Sequence, residues 1–131
     1  MVVPRFVDWA LAGEPLEIYG SGEQTRCFCH VADTVEALVR LLATDEAAGR
    51  IVNIGSDDEI SILALAERVN VATGNDAGIR HRSAVEAYGC EVEDMLRRVP
   101  AVDVLESLTA FRPSRDLDEI LTAIIADKKP T

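Results

Sequence analysis

The stretch that most constrains the fold runs over residues 13–31, GEPLEIYGSGEQTRCFCHV. Gly13 follows a segment with apolar residues at helical spacing, which predicts the end of a helix. Leu16–Tyr19 has the apolar content of a short strand, and Gly20 and Gly22 supply a turn. Residues 24–31 have the aromatic and β-branched content of a second strand. The sequence therefore predicts the end of a helix, a short strand, a tight glycine turn and a second strand.

Four more segments carry apolar residues at helical spacing. Asp33 is a candidate N-cap for the first of them. Its apolar stripe consists of Val35, Leu38, Val39 and Leu42. Ser61 caps the second, which closes near Gly74. Residues 102–108 predict a short helix, and residues 117–125 predict a final amphipathic one.

Two segments lack a helical pattern. Residues 51–54, IVNI, form a short apolar run stopped by Gly55 and predict a strand. Residues 75–90 are weakly patterned and predict a loop. We find no internal repeat or linker, so the sequence predicts a single domain over residues 1–131, of α/β class with mixed α and β structure.

Composition excludes several classes of partner. The net charge is −10, from 23 acids and 13 bases, which opposes binding to a nucleic-acid backbone. No apolar run is long enough to span a bilayer, and the first residues do not resemble a secretory signal. Cys27, Cys29 and Cys90 are odd in number and form no CxxC motif, so we expect buried thiols rather than a metal site or disulfides. These features predict a cytoplasmic protein that binds neither nucleic acid nor membrane.

Arg26 is the strongest single candidate for a ligand contact. On the predicted second strand it shares a face with Phe28, beside a glycine turn that can admit a ligand. Its guanidinium matches two phosphate oxygens at once. Spacing alone favours the alternative, a surface arginine paired with one of the 23 acids.

Three other polar groups have simpler explanations. Arg97 and Arg98 form a basic spot that spacing alone assigns to a solvated helix end. Residues 80–82, Arg-His-Arg, are best explained as a flexible loop. His30, on a predicted strand, is more typical of a packed or hydrogen-bonded histidine than of a catalyst.

Some chemistry is missing from the sequence. Its lysines are Lys128 and Lys129, in the predicted tail, so a lysine inside a folded site is not expected. Neither tyrosine, Tyr19 or Tyr88, has a lysine four positions later. No glycine-rich turn follows a first strand and opens a helix, so a dinucleotide pyrophosphate has no cradle of that kind.

Three ordered segments resemble the NAD-dependent epimerase/dehydratase family, the extended short-chain dehydrogenases (SDR). Residues 2–42 are similar to the family's helix, its G-x-P-L-x-I-Y-G-x-G strand and turn, and its Q-x-R-x-F-x-x-V-x-D motif. Residues 51–69 are similar to the next strand, with N-x-G, and the helix after it. Residues 93–121 resemble the closing segment, in which a proline-marked helix leads to F-x-P and a last helix. The likeness includes UDP-glucose 4-epimerase-like enzymes and runs over residues 2–125.

The resemblance implies the C-terminal substrate-binding portion of an extended SDR Rossmann-type enzyme that lacks the N-terminal dinucleotide-binding half. By position, Arg26 matches the arginine that grips the diphosphate of a UDP- or dTDP-sugar. Residues 13–31 resemble the family's nucleotide-sugar-binding hairpin. Its strand Leu16–Tyr19, with Leu16, Ile18 and Tyr19, matches the one that flanks the nucleobase. Arg98, with Arg97 as alternative, matches a second phosphate- or ribose-contacting arginine. Asn53 matches the N-x-G asparagine, expected to fasten the backbone.

Three hypotheses follow for function. In the first, the chain is the nucleotide-sugar-binding part of an epimerase/dehydratase, truncated or encoded separately, with no cofactor of its own and no catalysis alone. NAD and an N-terminal Rossmann polypeptide would then complete the enzyme, and homo-oligomers are compatible with it. In the second, it is a non-catalytic binding or interaction module. In the third, it is a decayed fragment. Without the N-terminal half, the strand predicted at residues 51–54 would have an exposed edge, and in the second hypothesis this edge pairs with a partner.

Overall fold

The computed structural model describes residues 1–83 and 95–129. Within them the chain forms five α-helices, four short strands and one 3-10 turn, which confirms the α/β class. The helices are α1 (Val2–Leu11), α2 (Val31–Leu42), α3 (Ile62–Thr73), α4 (Asp103–Thr109) and α5 (Leu117–Lys128), and the 3-10 turn is Asp45–Ala47. The strands are β1 (Leu16–Tyr19), β2 (Thr25–Cys27), β3 (Glu59–Ser61) and β4 (Ile79–Arg82).

The chain divides into two compact units, and the prediction of a single domain stays a prediction. The first unit contains residues 1–26, 60–97 and 121–131, and the second contains residues 27–59 and 98–120. Tyr88, Cys90 and residues 91–94 lie outside the described residues. None of the described helices is long and apolar enough to cross a lipid bilayer.

In the first unit, α1 packs against α3, and β1 lies beside them. The spacing of apolar residues in α1 places one face in the core, and Gly13 follows its C-cap with a φ of 70°. Burial of that face against α3 and β1 supplies most of the unit's apolar core. The buried side chains are Val3, Phe6, Val7, Ala10, Leu16, Ile18, Ile62, Leu65, Ala66, Val69, Leu121 and Ile125.

The glycine turn after β1 is bonded to the first turn of α3. The carbonyl oxygens of Gly22 and Gln24 accept from the N–H groups of Leu63 and Ile62, each at 3.0 Å. The Ser61 hydroxyl accepts from Ala64 N at 3.1 Å, as the predicted N-cap should. Three N–H groups that a helix start leaves without intrahelical partners are thereby satisfied, which fixes the turn in place.

The predicted hairpin is wrong, because the two strands that flank the glycine turn do not pair with each other. β1 pairs in parallel with β4, in the register Leu16↔Ile79 to Tyr19↔Arg82, and β2 pairs with β3. The loop predicted over residues 75–90 is therefore wrong at Ile79–Arg82. Only Ile79 of that strand is apolar, so the polar segment carries no strand pattern, and backbone pairing with β1 determines its conformation.

In the second unit, α2 packs against α4, and a buried carboxylate of α2 is bonded to the segment before α5. Asp33 is 1% exposed and accepts from Ser114 N at 3.1 Å, Arg115 N at 3.0 Å and the Arg115 guanidinium. Burial raises the pKa of this carboxyl, but the Arg115 backbone and side-chain bonds outweigh it, so the pKa lies below its ordinary value. The apolar core beside it consists of Ala37, Val102, Leu105 and Ile120.

Three sequence expectations are wrong in the second unit. His30, not Asp33, caps α2, since its Nδ1 accepts from Ala32 N at 3.1 Å. The strand predicted over residues 24–31 consequently ends at Cys27. Residues 51–54 form no strand, and the described strands pair only as β1 with β4 and β2 with β3. Asn53 Nδ2 donates to Ala101 O at 3.3 Å and so fastens this segment.

Candidate functional site

The first unit contains an open pocket of about 780 Å³. Side chains from α1, β1 and β2 line it, together with the glycine turn. Arg26 of β2 lines this pocket together with Ile18 and Tyr19 of β1. The pocket therefore brings together three of the residues that the sequence predicts as ligand contacts.

The Arg26 side chain is held by one backbone carbonyl of its own strand and one of the segment beside it. Its Nη1 donates to Thr25 O at 2.6 Å and to Met95 O at 2.8 Å. Thr25 N also donates to Leu96 O at 2.8 Å, and Thr25 forms a parallel bridge with Arg97. These bonds fix the guanidinium at the pocket wall and place residues 95–97 alongside β2.

The other predicted contacts have different positions. Leu16 is fully buried, so its side chain belongs to the core beneath the pocket. Arg97 lies beside β2 through its bridge to Thr25. Arg98 is exposed and belongs to the second unit. These placements distinguish the two arginines that the sequence left as alternatives, since Arg97 is the one in the unit that contains Arg26.

Two pocket residues on α1 were missed by sequence reasoning. The Arg5 Cζ atom lies 5.2 Å from the centroid of the Trp9 ring, and both residues line the pocket. Trp9 in turn contacts the buried Phe6, with ring centroids 6.1 Å apart. The available signal was the spacing of four residues, which places Arg5 and Trp9 on one face of the helix.

Glu17, the acidic residue of the pocket lining, forms ion pairs with two arginines of β4. Glu17 lies 3.2 Å from Arg82 and 3.9 Å from Arg80, oxygen to nitrogen. His81 Nδ1 lies 2.9 Å from Gly20 O, which ties β4 to the glycine turn. The flexible loop expected for residues 80–82 is therefore wrong. Arg80 and Arg82 neutralise the charge of Glu17. The pocket therefore repels an anion less than the chain's net charge of −10 suggests.

Charged side chains of the second unit pair mainly with one another. Arg112 bonds Asp57 and also Glu106, the latter at 2.6 Å. The bond to Arg112 lowers the pKa of Asp57, and the two carboxylates raise that of Arg112. Glu36 and Arg40 pair at 2.6 Å along α2. These charged side chains of the second unit already neutralise one another. We therefore take the pocket of the first unit as the candidate site.

Comparison with known proteins identifies relatives. Residues 1–55 match the NAD dependent epimerase/dehydratase family. A UDP-N-acetyl-alpha-D-glucosaminuronate decarboxylase from Bacillus cytotoxicus is 38% identical over 113 residues, 86% of this chain. UDP-glucuronic acid decarboxylase 1 from Xenopus tropicalis is 35% identical over 124 residues, 95% of this chain. The solved epimerase Mth375 from Methanothermobacter thermautotrophicus matches 96% of this chain with a TM-score of 0.85 and 28% identity.

These relatives are much longer than this chain. It spans 35% and 28% of the two decarboxylases and 36% of the solved epimerase. The match to the solved epimerase therefore covers nearly all of this chain but only part of the solved structure. The family prediction is confirmed: this chain is related to the NAD dependent epimerase/dehydratase family and corresponds to about a third of the length of those relatives.

Proposed function

We propose that the pocket of the first unit binds the nucleoside diphosphate part of a nucleotide sugar, a UDP- or dTDP-sugar. One observation supports this most directly: Arg26 and the strand β1 line the same pocket. The names of the two decarboxylases, which both refer to UDP-linked sugar acids, agree with this ligand class.

In this proposal the residues that the sequence predicts as ligand contacts have distinct roles. The guanidinium of Arg26 offers planar, paired donors that fit the oxygens of a phosphate. Ile18 and Tyr19 provide the wall for the nucleobase, and the buried Leu16 anchors their strand in the core. Arg98 stays a prediction for a further phosphate or ribose contact.

The proposal assigns binding and no chemical step. The family description names NAD, whose pyrophosphate is typically cradled by a glycine-rich turn between a strand and a helix. Among the described residues, α2 starts after His30 and α3 starts after Ser61, so neither begins on glycine. Lys128, one of the sequence's two lysines, pairs with Asp8 at 2.5 Å. These residues do not fit an NAD site, and we derive no reaction through NAD.

Calorimetric titration with UDP-glucuronate and dTDP-glucose tests the proposal. We expect saturable binding of at least one, and a loss of about tenfold or more in affinity on Arg26→Gln, since a charge-assisted bond is lost. Arg112→Gln is the matched control, because it removes the same charge in the second unit and should leave the affinity unchanged. Absence of binding to the intact chain, or equal binding by the folded Arg26→Gln variant, would contradict the proposal.

A second candidate function, an interaction module, is favoured by the exposed face of α2. The predicted apolar stripe exists, but it faces solvent instead of the core. Its members Val35, Leu38, Val39 and Leu42 are 48% to 89% exposed, and Val31 extends it. Contiguous apolar surfaces of this kind mark contacts with other polypeptides. About two thirds of the length of these relatives lies outside the match to this chain. We propose that the equivalent polypeptide covers this stripe.

Co-expression tests the second candidate. The partner is the part of the Bacillus cytotoxicus relative outside its match to this chain. We expect it to co-purify with the intact chain and to be lost with Leu38→Asp or Leu42→Asp, which place a charge in the apolar contact. Val71→Asp is the matched control, since Val71 is 84% exposed on α3 in the other unit. No co-purification, equal loss with Val71→Asp, or a homodimer through the stripe would contradict this candidate.

A further inference from the structure

We propose that Arg5, stacked on the indole of Trp9, is the second cation that contacts the phosphates of the nucleoside diphosphate. The inference rests on the proposed function of the pocket and adds a residue that neither the sequence motifs nor the family resemblance identified. Arg5 and Trp9 lie one helical turn apart on α1, and both line the pocket with Arg26.

The position of Arg5 is determined by a stack that begins in the core. Phe6 is 2% exposed, and its ring centroid lies 6.1 Å from that of Trp9. Arg5 Cζ lies 5.2 Å from the Trp9 centroid, within the range of a cation–π contact. A guanidinium that is already held in place loses less conformational entropy when it binds an anion.

The charges of the lining favour a ligand with two phosphates. Its charged members are Arg5, Arg26 and Glu17, and the glutamate is balanced by Arg80 and Arg82. One guanidinium fits one phosphate group in paired geometry, so a diphosphate has a place for a second cation. A chain with a net charge of −10 needs such local cations to bind an anion at all.

The alternative is that Arg5 only packs on Trp9. The two roles differ in how affinity depends on the number of phosphates. A phosphate contact strengthens binding of UDP more than of UMP and has no effect on uridine. A packing role alters the binding of all three ligands alike, or of none.

Fluorescence titration with UDP, UMP and uridine distinguishes these roles. Trp9 is the sequence's only tryptophan, so the intrinsic signal comes from the pocket wall. We expect Arg5→Gln to weaken UDP binding about tenfold and to leave uridine binding unchanged. Calorimetry repeats the comparison without the optical signal, because the substitution also alters the surroundings of the indole.

Arg68→Gln is the matched control. Arg68 belongs to α3 of the same unit and is exposed, but it does not line the pocket. We expect its removal to change UDP affinity by less than about twofold. Equal losses from Arg5→Gln and Arg68→Gln would indicate a general charge effect and overturn the inference. If Arg5→Gln binds UDP with unchanged affinity while Arg26→Gln loses binding, the inference about Arg5 is overturned and the proposed function of the pocket stands. No UDP binding by the intact chain would overturn the proposed function too.

Discussion

At the scale of single residues, Asp33 is unusual because its charge is buried. Among the described residues, it is the one charged side chain with about 1% exposure. Two backbone N–H groups and a guanidinium compensate the loss of water, and a buried carboxylate with several such donors stays ionised. The ionised form therefore stabilises the second unit by joining α2 to the segment before α5.

Asp33→Asn should destabilise the chain by about 2 kcal/mol at neutral pH, because it replaces charge-assisted bonds with weaker ones. The pKa of Asp33 is lowered in the fold, so its stabilisation is present above the ordinary value of 3.8 and is lost as pH falls through the lowered value. Urea unfolding at pH 7 and at pH values below 3.8 measures this. The difference between Asp33→Asn and the unchanged chain should shrink in acid.

Glu36→Gln is the control for that experiment. Glu36 lies on the same helix and pairs with Arg40 across one exposed turn. Such a pair contributes roughly 0.5 kcal/mol or less. A loss for Glu36→Gln as large as for Asp33→Asn, or a difference for Asp33→Asn that does not change in acid, would contradict the role given to the buried carboxylate.

At the scale of elements, the turn between β1 and β2 positions Arg26 by close packing. A Cβ atom added at Gly22 would lie 3.1 Å from Ile18 Cγ2 and from Leu63 Cβ, and the residue has a φ of 79°. Gly20 has a φ of 76°, but nothing lies within 4 Å of its added Cβ. The two glycines therefore share a backbone requirement and differ in packing.

Gly22→Ala should cost more stability than Gly20→Ala. Each substitution incurs about 1 kcal/mol for a side chain in the left-handed region. Gly22→Ala adds roughly 1–3 kcal/mol, because Ile18 and Leu63 must move. Thermal unfolding of the two variants gives the comparison. Equal losses would show that the turn is not packed against β1 and α3 as described.

The sequence predicts helices better than strands here, for a physical reason. The start of α3 at Ser61 and the amphipathic pattern of α1 are local properties, so the sequence carries them. Strand formation depends on distant partners. β4 forms in pairing with β1, while the apolar residues 51–54 pair with none of the described strands and form no strand. The Arg5–Trp9 part of the pocket was missed because α1 was interpreted only as a core helix.

At the scale of the whole molecule, the candidate ligand site and the candidate docking surface belong to different units. The first unit contains the pocket with Arg26, while the second contains the exposed stripe of α2. This chain matches about a third of the length of its relatives. We propose that it contributes ligand contacts through the pocket and a docking surface through α2.

The most direct test of the central claim is a titration of the nitrogen-labelled chain with UDP, followed by proton–nitrogen correlation NMR. Trp9 is the only tryptophan, so its indole N–H gives a single signal from the pocket wall. We expect this signal to shift progressively and to saturate, with half of the shift reached at a free UDP concentration equal to the dissociation constant measured by calorimetry. An indole signal that stays unmoved while UDP binds elsewhere, or a spectrum that UDP does not change, would contradict it.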